Sequence, residues 1–217
     1  DADVVVIGVP SHGFRAVLTD AADAIGETVP VVSLSKGVEE GTHLRMTQVV
    51  ADVLVSHRPD RIGVLTGPNL AREVAQGQPT ASVIAIPDAD TAASLQQLFM
   101  GRTFRVYTNP DVVGCEIAGA LKNVIAIAAG IAAGLGYGDN TKAALMTRGL
   151  AELARLGIAL GGDSLTFSGL AGMGDLIATC TSEKSRNRYV GVELGRGRHL
   201  DEIVTEMNMV AEGVKST

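Results

Sequence analysis

An α/β sheet domain followed by an all-α domain is the fold this sequence predicts, and three observations predict it. Over the first half of the chain, short apolar runs alternate with amphipathic helices, the pattern of an open parallel sheet wound with helices on both faces. The second half shows helical patterns and no convincing strand. The change falls at Asn109-Pro110, which assigns residues 1–110 to the α/β domain and residues 111–217 to the helical one.

The opening run Val4-Val5-Val6-Ile7-Gly8-Val9 is apolar without alternation, and so is Pro30-Val31-Val32-Ser33-Leu34. Strands covered on both faces read this way. Between them Phe14, Val17, Leu18, Ala21, Ala22 and Ile25 fall at helical spacing, with Ser11 placed to cap. A second repeat follows: a helix from Leu44 to Val55, a strand from Ile62 to Leu65, a Gly67-Pro68-Asn69 turn, and a strand from Ser82 to Ile86. Helix Ala89 to Met100 then leads to a last strand, Phe104 to Tyr107, and right-handed crossovers are expected throughout. Beyond residue 110 the most apolar stretch, Val124 to Leu135, is too short to span a bilayer and is expected to be a buried helix. Leu145 to Leu160 is an amphipathic helix, and shorter helices are expected over Met173–Thr179, Arg188–Gly195 and Leu200–Glu206. Glycine-rich breaks at 134–138 and 161–162 separate them.

The 217 residues are 46% hydrophobic and 19% charged, enough for one substantial core or two modest ones. A net charge of −6 gives no long-range attraction to nucleic acid or to an anionic membrane, so neither is an expected partner. Any phosphate must be held by a local cluster. Cys115 and Cys180 have no metal-ligand spacing, no metal is expected, and a reducing cytoplasm is the simplest compartment. The chain opens at Asp1 on a buried strand, with no basic leader and no initiator methionine, which points to part of a longer chain.

Lys122 is the most informative residue. It is the only charged side chain between Ile117 and Gly138. Burial among Ala, Ile, Val and Gly would strip water from its ammonium, lower its pKa and make it a general base near neutral pH. The plainer reading is a lysine that snorkels out of a core helix. Asp175 is the natural partner, after the small residues Gly172-Met173-Gly174; it would orient the lysine while opposing the effect of burial, unless it only balances a helix dipole. Thr179, one turn later, can offer a hydrogen bond to the same ligand. Ser185-Arg186-Asn187 supplies a guanidinium fork and two neutral donors suited to phosphate, or else merely a solvated helix start. Lys36-Gly37, Ser11-His12 and Gly67-Pro68-Asn69 each follow a strand, where ligands of open α/β sheets sit. His12 is read as a capping or cofactor-edge residue rather than a catalytic one, and His43, His57 and His199 are isolated.

These segments together resemble the bacterial-type NAD(P)-dependent glycerol-3-phosphate dehydrogenase family, over essentially the whole chain. The stretches that carry the resemblance are VVVIGVPSH at 4–12, SLSKGVE at 33–39, LTGPNLAREVA at 65–75, EIAGALKNVIAIAAGIAAGLGYGDNTKAALMTRGLAE at 116–152, GLAGMGDLIATCTSEKSRN at 169–187 and VAEGVKS at 210–216. The resemblance implies a Rossmann-like, partial doubly wound parallel sheet and an all-α substrate and dimerisation domain. It implies hydride transfer between NAD(P)H and dihydroxyacetone phosphate, giving sn-glycerol 3-phosphate for phospholipid synthesis, in a cytoplasmic homodimer. Lys122 would then be the catalytic base. Lys36, Gly67, Asn69, Lys122, Asp175, Ser185, Arg186 and Asn187 would hold the triose phosphate. Lys36, Ala71, Arg186, Val210 and Glu212 would meet the dinucleotide, with NADH or NADPH undecided. Asn69 stands where the family often has serine or threonine. The family's glycine-rich fingerprint is not in these residues, which resemble a piece truncated at both ends. The 217 residues alone are therefore expected to bind dinucleotide poorly and to turn over little.

Two alternatives differ in kind. A dehydrogenase of the 3-hydroxyacid or 6-phosphogluconate type places its lysine and asparagine one helical turn apart, whereas Lys122 and Asn123 are adjacent and about 100° apart around a helix. A non-catalytic nucleotide-binding scaffold would lack Lys122 or Asp175, and both are present.

Overall fold

A computed structural model describes residues 2–207 and 211–216. Its sheet contains β1 (Val5–Ile7), β2 (Val31–Ser33), β3 (Ile62–Thr66), β4 (Thr80–Ala85) and β5 (Phe104–Asn109), side by side in chain order. The helices of this part are α1 (Ser11–Ala21), α2 (Met46–Val53), α3 (Ala71–Ala75) and α4 (Ala89–Phe99). Period-two alternation sorts the strand residues between two cores. Val31 and Ile62 meet Phe14 and Leu18 of α1 and Val49 and Val50 of α2 on one face. Val32, Leu65, Ile84 and Val106 meet Ala92 and Leu95 of α4 on the other. Helices therefore cover both faces of a Rossmann-like sheet.

The sheet departs from the all-parallel expectation at one place. β1, β2 and β3 are parallel and β4 and β5 are parallel, but β4 runs antiparallel to β3, with Thr66 opposite Val83. The cause is the short connection. Helix α3, which the sequence reading missed, has only five residues, or about 7.5 Å of rise, and cannot carry the chain back along a strand about twice that length. Ser11 also differs from expectation: Pro10 holds the cap position of α1, and Ser11 is its first residue.

Every described element after Asn109 is helical: α5 (Val112–Gly134), α6 (Asp139–Ala159), α7 (Ser164–Ser168), a π-helical turn (Leu170–Gly174), α8 (Asp175–Thr181), α9 (Arg186–Gly195), α10 (Leu200–Met207) and α11 (Glu212–Ser216). The buried helix expected over 124–135 is the second half of the 23-residue α5, long and apolar enough by composition to cross a bilayer. It is instead the axis of the helical domain. Ile117 and Ala118 pack with Leu153 of α6 and Phe167 of α7, and Ala126 and Ala129 with Leu176 and Cys180 of α8. Against α9 the approach is backbone to backbone. A methyl at Gly130 would run into the Arg188 carbonyl oxygen, and one at Gly191 into the Ile127 carbonyl oxygen. Gly191→Ala is therefore expected to force α5 and α9 apart at a cost of about 1–3 kcal/mol, read as a lower urea midpoint at unchanged m-value.

The two parts meet through α5. Glu116, on its second turn, accepts the backbone N–H of Thr47 at 2.9 Å, the Thr47 hydroxyl and the Arg45 guanidinium, all from the start of α2. Its carboxylate thus receives donors from a helix N-terminus, where negative charge is stabilised.

Candidate active site

Because β1, β2 and β3 are parallel, their carboxyl ends share one edge, and the segments that follow them line a cleft of about 800 Å³. The opposite wall comes from α5, α8 and the start of α9. Lys36 follows β2, the Gly67–Asn69 turn follows β3, and both face Lys122, Asp175 and Arg186. Gly67 has φ +118°, a conformation open to glycine and costly for a side chain, so this turn needs glycine to bring its carbonyl to Lys36.

The Asp175 carboxylate is shared by two lysines. Its Oδ1 lies 3.1 Å from Lys122 Nζ, and its Oδ2 accepts from Lys36 Nζ at 2.8 Å. Lys122 and Asp175 are 4% and 3% exposed, so the first contact is made out of bulk water. Lys122 also donates to Thr179 Oγ1 at 2.6 Å, and the Thr179 hydroxyl donates to the Asp175 carbonyl oxygen at 2.6 Å. The single hydroxyl proton is thus committed within α8, and Thr179 serves Lys122 as an acceptor. Burial pulls the Lys122 pKa down from 10.5 to about 8; Asp175 pushes the other way, and the like charge of Lys36 adds to the lowering. The sequence-level expectation of a dehydrated lysine beside a carboxylate is what the geometry contains.

Lys36 Nζ completes its set with the Gly67 carbonyl oxygen at 3.0 Å and Asn69 Oδ1 at 3.1 Å. Asn123, regarded from sequence only as the neighbour of Lys122, points elsewhere: its Nδ2 donates to the Lys36 carbonyl oxygen at 3.3 Å and its Oδ1 accepts from Asn187 Nδ2 at 3.0 Å. Asn187 Oδ1 in turn accepts from the Gly213 N–H at 2.9 Å. Asn187 is thus tied into the wall, while Ser185 is buried and caps α9 by accepting from the Arg188 N–H at 3.2 Å. Arg186 and Ala71 are exposed at the cleft. Glu212 reaches across from α11, accepting from the Ser11 hydroxyl at 2.7 Å and the Ser11 N–H at 3.3 Å. Val210 lies outside the described residues.

Three features were not read from the sequence. Lys184 pairs with Glu73 of α3 at 2.9 Å across the cleft mouth. The Ser82 hydroxyl accepts from Asn69 Nδ2 at 3.1 Å. The buried Thr66 hydroxyl, beside Gly119 and just ahead of Gly67, has no hydrogen-bond partner among the described residues. None carries a local sequence signal, since each depends on which strand or helix lies alongside. His12 lines a separate surface depression with Arg15 and Glu39, away from the lysines.

The strand ends of a Rossmann-like sheet thus face a set of helices across a cleft, with a dehydrated lysine and a carboxylate between them. Residues 1–92 match the family description "NAD-dependent glycerol-3-phosphate dehydrogenase N-terminus" and residues 111–217 match "NAD-dependent glycerol-3-phosphate dehydrogenase C-terminus". The chain belongs to the NAD-dependent glycerol-3-phosphate dehydrogenase family. It is 61% identical to the glycerol-3-phosphate dehydrogenase [NAD(P)+] 2 of Sphingopyxis alaskensis, over 99% of this chain and 64% of the relative. It is 58% identical to a glycerol-3-phosphate dehydrogenase [NAD(P)+] of Mycobacterium avium, over 99% of this chain and 62% of the relative. The crystal structure of glycerol-3-phosphate dehydrogenase from Coxiella burnetii superposes with a TM-score of 0.93 at 39% identity, over 99% of this chain and 65% of that one. The chain therefore spans slightly under two thirds of the length of these relatives.

Proposed function

We propose that this chain is the catalytic-cleft portion of an NAD(P)-dependent glycerol-3-phosphate dehydrogenase, interconverting dihydroxyacetone phosphate and sn-glycerol 3-phosphate. The observation that carries the proposal is the buried Lys122 ammonium, 3.1 Å from Asp175 in a cleft walled by both domains. On this reading residues 1–110 are the partial dinucleotide-binding domain and residues 111–217 the substrate-binding one.

The cleft volume suits a triose phosphate beside a nicotinamide ring. Its residues fit that end of the cofactor: Ala71 offers a small exposed surface, Arg186 offers cationic donors, and Lys36 offers a positive charge. Bound there, the nicotinamide supplies or takes up hydride. Lys122 takes the proton of the substrate C2 hydroxyl during oxidation and returns it to the alkoxide oxygen during reduction. Asp175, held by Lys36 on its other oxygen, keeps Lys122 pointing into the cleft. Arg186 and Asn187 take the phosphate end, with Ser185 fixing the start of α9 beneath them. Gly67 and Asn69 close the sheet side, Glu212 completes the cofactor side, and Val210 is proposed as a further cofactor contact. NADH and NADPH are both admitted. A cytoplasmic homodimer without nucleic-acid or membrane partners completes the reading.

The test is the full-length protein assayed with dihydroxyacetone phosphate and NADH or NADPH; cofactor binding without consumption would overturn the assignment in favour of a scaffold. The pH profile gives a second check. Oxidation needs the free amine of Lys122, so its rate is expected to rise as pH passes about 8. Reduction needs the ammonium, so its rate is expected to fall above the same pH. Steady-state rates from pH 6 to 10 in both directions measure this crossing.

A further inference from the structure

Three acceptors hold the Lys36 ammonium at the cleft. An ammonium has three protons, and here they go to the Gly67 carbonyl, Asn69 Oδ1 and Asp175 Oδ2. The first is backbone and the third belongs to a carboxylate shared with Lys122, so among the described residues the Asn69 amide is the independent side chain that sets the direction of Lys36. That amide is held at its far end by Ser82, whose hydroxyl accepts from Nδ2 at 3.1 Å. Ser82 is 0% exposed and sits beside the turn: a Cβ on Gly67 would lie 3.3 Å from Ser82 Cα. It arrives there because β4 is antiparallel to β3, which brings the start of β4 rather than its end to the carboxyl edge of β3.

We propose that Ser82 and Asn69 form an amide clamp that positions Lys36, so that Ser82 serves the triose phosphate site through Asn69 and Lys36. The proposal rests on the reading of the cleft as a triose phosphate site. Without the Ser82 hydroxyl, a part-buried amide N–H loses its acceptor and the amide swings, taking one of the three acceptors from Lys36. Small displacements of a binding group at a reacting centre are costly.

The experiment uses the full-length protein with Ser82→Ala, Asn69→Ala and the double variant, with glycerol 3-phosphate as the probe in calorimetry without nucleotide and in turnover. Each single variant is expected to lose about tenfold in glycerol 3-phosphate affinity and in kcat/KM, at unchanged KM for the nucleotide. The double variant is expected to lose no more than either single one, because Ser82 acts only through Asn69. Multiplying losses, or wild-type behaviour of Asn69→Ala, would overturn the clamp; the second outcome is readable even if Ser82→Ala does not fold. Lys36→Met distinguishes failure of the clamp from failure of the triose phosphate site. Wild-type affinity and turnover in Lys36→Met would sink the reading of the cleft itself, whereas an inactive Lys36→Met beside multiplying Ser82 and Asn69 losses would sink the clamp alone.

Discussion

Replacing Lys122 with methionine in the full-length protein is expected to lower kcat by roughly 10²- to 10⁴-fold while the chain stays folded. Methionine keeps the length of the stem and fits an apolar surround, so the loss reports the amine and not a hole. Among the described titratable groups lining the cleft, Lys122 has its pKa brought near neutrality by burial, and its amine is held in place by Asp175 and Thr179. Stability should move in the other direction. With a pKa of about 8 folded and 10.5 unfolded, the unfolded chain binds more protons between those values, so wild-type stability rises with pH across that window. The contribution is complete above 10.5 and lost as pH falls through about 8, a difference of roughly 3 kcal/mol. Lys122→Met should lack this slope, and urea unfolding at pH 7 and pH 10 compares them. Unchanged kcat in the variant would remove Lys122 from the chemistry.

Asp175→Ala is expected to cost about 3–5 kcal/mol of stability and about 10²-fold in kcat. Two ammonium groups then face the same space without the carboxylate between them, one of them almost wholly buried. The Lys122 pKa falls further once Asp175 no longer raises it, so the rise of the oxidation rate should move to lower pH than in wild type. A lower urea midpoint together with that displaced rise is the expected pair of results. A variant as stable as wild type would mean that the carboxylate does not balance the two lysines.

What could be read from sequence and what could not divide along physical lines. Lys122 stood out because a single charge in a long apolar stretch has few structural explanations, and Asp175 and Lys36 because small residues and strand ends mark places where backbone comes close to a ligand. These are local signals. The antiparallel β4 left none, since Ser82 to Ile86 is apolar in either direction; only the five residues of α3 betray the reversal, and they are too few for a helical period to register. Ser82, Asn123 and Glu116 were missed for a related reason: each acts on a residue far away in the chain, and partner choice is set by packing. Ser11 does not cap because Pro10 takes the cap position and Ser11 is the first residue of the helix, its hydroxyl donating to the Glu212 carboxylate 201 positions away.

Helix α5 carries both the Glu116 tie to α2 and, six residues on, the proposed base. At about 1.5 Å per residue these are some 9 Å apart along one stiff rod. The height of the amine above the sheet is therefore gauged from the sheet domain's own helix, so a slip at the foot of α5 would reach the reacting atoms undiminished, however well the bundle around them were packed.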